Sequence, residues 1–229
     1  MADAPGPLLA TGRRTDVYDL GDGRVLRRYR DASHDAEVEA RVMRHVAERG
    51  YPVPRVDEAE GTDLVMERVD GPTMAASLAA SPWSVPLHAR RLARLQRRLA
   101  AIEAPDWLLA RTADQRHPHS VLHLQLAPTN VVLAAGGPVV LDWTEASEGP
   151  AGFDAALTFV ELSTAPATTA RDRAVRRALA GAFRSLRRRR DLDPFLGAAC
   201  DHRLADPELG PDERVAVADL RRRLVAAAT

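Results

Sequence analysis

The sequence of 229 residues predicts an α+β fold in two parts, a small β-rich unit with one helix over residues 1–70 and a mostly helical unit over residues 71–229. Three observations carry this. Strand-like alternation dominates the front of the chain, three- and four-residue apolar spacing dominates the rest, and the turn formers Asp70-Gly71-Pro72 separate them.

The elements follow in order. Residues 8–30 alternate as strands, and Leu20-Gly21-Asp22-Gly23 between Val17-Tyr18 and Arg24–Tyr29 predicts a β-hairpin. Strand parity puts Val25, Arg27 and Tyr29 on one face. From Ser33 to Arg49 the positions Ala36, Ala40, Met43 and Ala47, beside Val38, Val42 and Val46, predict a helix that stops at Gly50 before Pro52. Asp63–Val69 reads as a further strand. Beyond Gly71, Leu92, Leu95, Leu99 and Ile102 form one stripe of a helix over 86–103, with Arg90, Arg91, Arg94, Arg97 and Arg98 mostly opposite. Short apolar runs at Val121-Leu122, Val131–Leu133 and Val139–Leu141 read as buried strands. Gly136-Gly137-Pro138 makes a hairpin of the last two, and helices are expected at about 153–163, 169–190 and 211–228.

Composition removes several functions. With 45% hydrophobic and 28% charged residues the chain can build a core, and no apolar run approaches the roughly 20 residues of a spanning helix. The 32 basic residues cancel 32 acidic ones, so no overall field draws the chain to nucleic acid or to a membrane. The start MADAPGPLLATGRR lacks the apolar segment of a secretory signal, which sets the expectation of a cytoplasmic protein. A lone Cys200 makes neither an internal disulfide nor a multi-Cys zinc site, and on its Ala-rich stretch it reads as a small buried apolar residue. The chain contains no lysine, so Schiff-base chemistry, a Lys general base and the G-x-x-x-x-G-K-[ST] phosphate loop are excluded.

Three segments carry chemistry together. His123-Leu124-Gln125-Leu126-Ala127-Pro128-Thr129-Asn130 matches H-R-D-L-x-x-x-N at His, Leu and Asn but replaces the Asp. Asp142-Trp143-Thr144 ends an apolar strand where the same signature carries D-F-G. The β-rich front contributes Gly12, the hairpin and Arg27. Their order and spacing, with Tyr51-Pro52-Val53-Pro54, Leu64–Gly71 and Gly137–Trp143, resemble the aminoglycoside phosphotransferase family within the protein-kinase-like superfold, over about residues 8–165.

That resemblance implies a bilobal protein-kinase-like fold, ATP between the lobes, Mg²⁺ and a small-molecule acceptor bearing a hydroxyl, cationic in the resembled family. Asn130 and Asp142 would be the metal ligands, hard oxygens suited to Mg²⁺ on phosphate. Gly12 to Asp16 would present backbone N–H groups to phosphate, although an ordinary tight turn explains the same glycine. Val17, Val25 and Met66 would line the nucleotide pocket, and the backbone of Glu67, Arg68 and Val69 would read the adenine edge. Arg27 stands where the family carries an ATP-contacting Lys. Its expected partner is Glu39, with Glu37 in reserve, and the alternative is a solvated strand arginine. His123 would brace the loop and Asp154 would tie it to the following helix.

The main departure is catalytic. Gln125 stands where the resemblance requires an Asp to accept the hydroxyl proton, and an amide has no basic lone pair at neutral pH. Ala127 replaces a polar residue common there, and Pro150 falls where an Asp is frequent. Glu145, Glu148, His117 and His119 are the substitute bases available, each also readable as a solvated loop residue. Arg184 with Arg187 to Arg190 reads as helix C-terminal cations or as an anion patch. The acids Asp191, Asp193, Asp201, Asp206, Glu208, Asp212 and Glu213 read as an acidic surface or as a cationic acceptor's site. Three functions stay open: a phosphotransferase weakened or altered by Gln125, a nucleotide-binding pseudoenzyme (a pseudokinase), and a protein-interaction scaffold.

Overall fold

The computed structural model describes residues 5–12, 14–110 and 119–226, and the chain divides into two compact units. The first comprises residues 1–71 together with 132–144, and the second comprises 72–131 with 145–229. The segment 132–144, expected in the larger unit, therefore belongs to the smaller one. Local spacing identifies strands there without saying which core they join.

In the smaller unit β1 (Leu8–Thr11), β2 (Thr15–Gly21), β3 (Arg24–Tyr29), β4 (Val56–Glu60) and β5 (Asp63–Glu67) form an antiparallel sheet of order β1-β2-β3-β5-β4. The expected hairpin is β2–β3. Its turn holds Gly21, Asp22 and Gly23 at φ of 76°, 46° and 79°, a left-handed run that two glycines and an aspartate tolerate. In β3, Val25, Arg27 and Tyr29 are all buried, as parity requires.

Helix α1 (Ala36–Glu48) packs against β4 and β5. Asp35 caps it by accepting from Glu37 N at 2.9 Å, a contact typically worth about 1 kcal/mol. Ala36, Ala40, Val42, Met43 and Val46 face the sheet, but Val38 and Ala47 are exposed, because the buried stripe is centred on the 36-40-43 line and excludes both. Strand β4 was not foreseen, since Val56–Glu60 is mostly acidic and half exposed.

The hairpin of β7 (Val131–Ala134) and β8 (Gly137–Val140) is attached to this unit through Val140 N, which donates to Pro52 O at 2.8 Å. Gly71 makes a close approach possible: at φ of 146°, a Cβ there would lie 2.5 Å from Leu133 O.

The larger unit contains α2 (Met74–Ala80), α3 (Val85–Leu99), α4 (Ala151–Thr164), α5 (Ala170–Ser185), α6 (Arg189–Leu192), α7 (Leu196–Ala205) and α8 (Pro211–Ala226), with β6 (His119–Leu122) paired antiparallel to β9 (Ser147–Pro150). Leu92, Leu95 and Leu99 are buried along α3 and Arg90, Arg94, Arg97 and Arg98 are exposed; the helix ends at Leu99, and Ile102 follows it in a buried turn. Burying each leucine contributes about 1.5–3 kcal/mol. Residues 153–160 of α4 are buried on every side, which makes α4 the central helix, packed on α3, α5, α7 and α8. The helix expected over 169–190 stops at Ser185 and restarts as α6, where the arginine run supplies no buried face to continue it. Strand β9 and helix α7 have no counterpart in the sequence reading. Among the described residues no helix is long and apolar enough to cross a membrane.

Candidate functional site

Each unit holds one cluster of the residues that the sequence singled out. In the smaller unit the cluster is a buried polar network centred on Arg27, which is 8% exposed. Its Nη1 donates to Glu39 Oε1 at 2.5 Å, its Nη2 to Asp142 Oδ1 at 2.5 Å and to Thr144 Oγ1 at 3.1 Å, and its Nε to Thr15 Oγ1 at 3.3 Å. The paired helix carboxylate is Glu39; Glu37 bonds Arg44 instead. The reading of Arg27 as a solvated strand arginine is corrected by its burial, since charge on this face of the sheet has to be matched in place.

Glu39 serves three donors. Besides Arg27 it accepts from the Tyr29 hydroxyl and, at 2.9 Å, from Trp143 N. Tyr29 also meets Thr144 Oγ1 at 3.0 Å and stacks on His34 with ring centroids 3.8 Å apart. Burial by itself pulls the Arg27 pKa down, but the carboxylates of Glu39 and Asp142 outweigh it and hold the guanidinium above the ordinary arginine value. Burial, reinforced by Glu39, pushes the Tyr29 phenol up, so it stays protonated and donates.

Asp142 sits at φ of 65°, in the left-handed region that aspartate tolerates better than most residues. Trp143 next to it is buried, edge-on to Tyr51, and its Nε1 donates to Val140 O at 3.2 Å. The aromatic anchor and the bond from Trp143 N to Glu39 hold the 142–144 turn against α1.

Other expected nucleotide contacts are placed as follows. Val25 and Met66 are register partners in β3 and β5, both buried, and Val17 lies opposite Arg27 on β2. Glu67 N donates to Arg55 O and Arg68 N to Gly23 O, both at 2.8 Å, so those two amides are not on offer to an adenine edge. Val69 N has no partner among the described residues. Gly12 N donates to Thr15 O at 2.7 Å across the β1–β2 turn, which makes this glycine part of a closed turn rather than an open phosphate cradle.

In the larger unit the cluster is the loop 123–130. Leu124 adopts φ of 61°, which for a bulky side chain costs on the order of 1–2 kcal/mol. The conformation is held by α4: Leu124 N donates to Asp154 Oδ1 at 2.7 Å, and the Leu124 side chain is buried. Asp154 therefore ties the loop to its helix as expected. It is accompanied by Gln96, whose Nε2 reaches Asp154 Oδ2 at 3.3 Å and Thr158 Oγ1 at 2.8 Å, while Thr158 donates to Leu126 O at 3.2 Å. Burial pushes the Asp154 carboxyl up, against the bonds from Leu124, His123 and Gln96. The sequence reading missed Gln96 and Thr158; a Gln on the buried stripe of an otherwise apolar helix face was the available signal.

His123 is buried, and its Nδ1 accepts from Gln125 N at 3.2 Å, a bracing role. Asn130 Nδ2 donates to Gln125 O at 2.9 Å, which leaves its Oδ1 without a partner among the described residues. The Gln125 side-chain amide, half-buried, likewise has none there. Of the substitute bases, His119 Nδ1 and Glu148 Oε2 lie 3.1 Å apart on the β6–β9 ladder, Glu145 is half-buried, and His117 lies outside the described residues.

The acids between Asp191 and Glu213 are largely compensated where they stand. Arg184 pairs Asp193 at 3.0 Å, Arg221 pairs Asp201 at 2.5 Å, and Arg203 pairs both Asp206 and Glu213 at 2.7 Å. No group of three or more His, Cys, Asp or Glu gathers as a metal site among the described residues. In the larger unit Asn130 Oδ1 is open among the described residues, and in the smaller unit the Asp142 carboxylate is part-exposed; both are hard oxygens.

The model of the family described as phosphotransferase enzyme family matches residues 7–117 and 101–192. No curated protein sequence is matched by the chain. Among solved structures it is similar to the aminoglycoside phosphotransferase APH(4)-Ia, with a TM-score of 0.67 and 16% identity over 97% of this chain and 93% of that one. It is also similar to a choline/ethanolamine kinase family protein from Mesorhizobium loti, with a TM-score of 0.64 and 17% identity over 98% and 89%. The enzyme in the streptomycin-ATP-APH(2")-IIa ternary complex follows, with a TM-score of 0.59 and 12% identity over 86% and 82%. At these identities the likeness establishes a bilobal kinase-like fold. Since the family model spans most of the 229 residues, the chain belongs to the phosphotransferase enzyme family.

Proposed function

We propose that the chain is an ATP- and Mg²⁺-dependent phosphotransferase that acts on a hydroxyl of a small molecule, at a rate reduced by Gln125. The loop at Asn130 carries this reading. Its amide nitrogen is fastened to Gln125 O and its oxygen is left open, the arrangement a metal-binding amide needs. Solved relatives include complexes that pair AMP-PNP with hygromycin B and ATP with streptomycin, which supports a nucleotide and a hydroxyl compound as ligands of this chain as well.

Asn130 and Asp142 would hold the metal, which when bound supplies positive charge to the phosphate oxygens during transfer. The strained Leu124, fixed by Asp154, sets the backbone geometry from which Gln125 acts. The Gln125 amide orients the acceptor hydroxyl by hydrogen bonding and leaves its proton to be taken by solvent or by the phosphate itself. Transfer through a loose transition state depends mainly on positioning, so loss of the base slows it without abolishing it. The acceptor is defined here by its hydroxyl and not by its charge, because arginines already neutralise most of the acids that would receive a cation.

Gln125 and the bond from Arg27 to Asp142 favour a second reading, a pseudokinase that binds nucleotide without transferring phosphate. Calorimetry with Mg-ATP, followed by turnover assays on a panel of hydroxyl compounds, separates the two. Binding with transfer supports the enzyme and binding without transfer supports the pseudokinase. Absence of binding at millimolar nucleotide rejects both and leaves an interaction scaffold.

A further inference from the structure

In the smaller unit Arg27 is bonded to one carboxylate oxygen of Asp142, the residue proposed above as a metal ligand. Asp142 Oδ1 accepts from Arg27 Nη2 at 2.5 Å and from Thr144 Oγ1 at 2.7 Å. Two short bonds, one of them charge-assisted, fill the two acceptor directions of that oxygen. Mg²⁺ coordinates a carboxylate oxygen at about 2.0–2.1 Å, which would press its charge against the guanidinium already bonded there.

The guanidinium cannot simply swing away. Glu39 holds Nη1, Thr15 holds Nε and Thr144 holds Nη2 a second time, so four donor contacts fix a side chain that is almost sealed from solvent. The planar fork spans Glu39 and Asp142 at once, one nitrogen to each. The ammonium of a lysine carries its three donors on one nitrogen, so it cannot reproduce the pair of contacts made from Nη1 and Nη2.

We infer that Arg27 is a resident cation at Asp142, which competes with divalent metal for that carboxylate and excludes it from the nucleotide-free protein. The inference rests on the reading of Asp142 as a metal ligand given above. Its functional consequence is an order of events: metal gains Asp142 only after Arg27 has been drawn off, and incoming phosphate is the anion suited to do that.

The test uses Mn²⁺ alone, without nucleotide, with free Mn²⁺ followed by electron paramagnetic resonance in the full-length protein. The variant Arg27→Met with Glu39→Gln removes both buried charges and keeps an acceptor for Tyr29 and Trp143 N. It is expected to bind Mn²⁺ at least about tenfold more tightly than wild type, one power of ten being about 1.4 kcal/mol. Adding Asp142→Asn to that variant is expected to return the affinity to the wild-type level. Equal affinity of wild type and the double variant, or a gain that survives Asp142→Asn, overturns the inference. Circular dichroism melts confirm that each variant is folded. Should the double variant not fold, Arg27→Gln with Glu39→Gln, which also removes both buried charges, is read by the same criteria. Failure of nucleotide binding in the calorimetry leaves this measurement untouched, so the two readings fail separately.

Discussion

Arg27 and Glu39 face each other across the core of the smaller unit, Nη1 to Oε1 at 2.5 Å, with Glu39 2% exposed. Neither charge has water to fall back on. Removing Glu39 leaves Arg27 with Asp142 as its one remaining carboxylate among the described residues, and the cost approaches that of breaking a buried pair, about 3–5 kcal/mol. Glu39→Leu is expected to lower stability by that amount in urea denaturation, and Glu39→Gln by less, because the amide still accepts from Trp143 N. A loss below about 1 kcal/mol for Glu39→Leu would mean that the pair is not closed in solution.

Restoring the missing base tests the rest of the machinery. Gln125→Asp is expected to raise transfer to a hydroxyl acceptor by about 10²- to 10⁴-fold, the usual contribution of a general base, with little change in the KM for ATP. Steady-state kinetics on the two proteins measure it. No gain in a folded variant would indicate that more than Gln125 has been lost from the loop.

Asp154 links loop geometry to pH. Its folded pKa is raised, chiefly by burial, so between the ordinary aspartate value of about 3.9 and the raised value the folded state holds more protons than the unfolded. Its contribution is complete below about pH 3.9 and is lost as pH rises through the raised value. The stability of wild type relative to Asp154→Asn is therefore expected to fall as pH is raised from 3.5, then to level off. Urea midpoints in matched buffers report the difference, and a difference that grows with pH would reverse the assignment.

His88 acts in the opposite sense. It is 1% exposed in α3, with Nε2 3.0 Å from Ser77 Oγ and Nδ1 without a partner among the described residues. Burial, assisted by Arg91, lowers its pKa, so on acidification the unfolded chain takes up the proton first, below about pH 6.5. That stability is present above pH 6.5 and is lost as pH falls through the depressed value. Thermal melts between pH 7.5 and 5 are expected to show a flatter acid limb for His88→Leu than for wild type.

Arg203 is the corresponding anchor of the larger unit, bonded to Glu213 through both Nε and Nη2 and to Asp206 through Nη1. Arg203→Met leaves Glu213 buried without its partner, and about 3 kcal/mol of destabilisation is expected in urea. Combining it with Glu213→Leu should recover part of the loss, since the stranded charge is then gone.

The helices α1, α3 and α4, the β2–β3 hairpin and the two motif segments were legible because each is written in local spacing: apolar stripes, a Gly-Asp-Gly turn, an Asp after an apolar strand. Val56–Glu60 was not, because an acidic edge strand takes its conformation from its neighbour β5 and leaves no apolar alternation behind. Gln96 and Thr158 were missed for a related reason. A polar residue inside a helix declares itself only when its partner, here Asp154, is known to be buried beside it.

What the sequence determined by itself was the family pattern and its chemical limits: no lysine in the chain, an amide in place of the catalytic carboxylate, and Asn130 and Asp142 in the right order. Only the tertiary structure decided where charge is satisfied. Which carboxylate Arg27 claims, which acids Arg203 and Arg221 neutralise, and how Leu124 is kept in a left-handed turn all depend on groups far apart in the chain meeting where water is excluded. Periodicity reports local geometry, whereas the cost of burying a charge is settled by whatever the fold brings beside it.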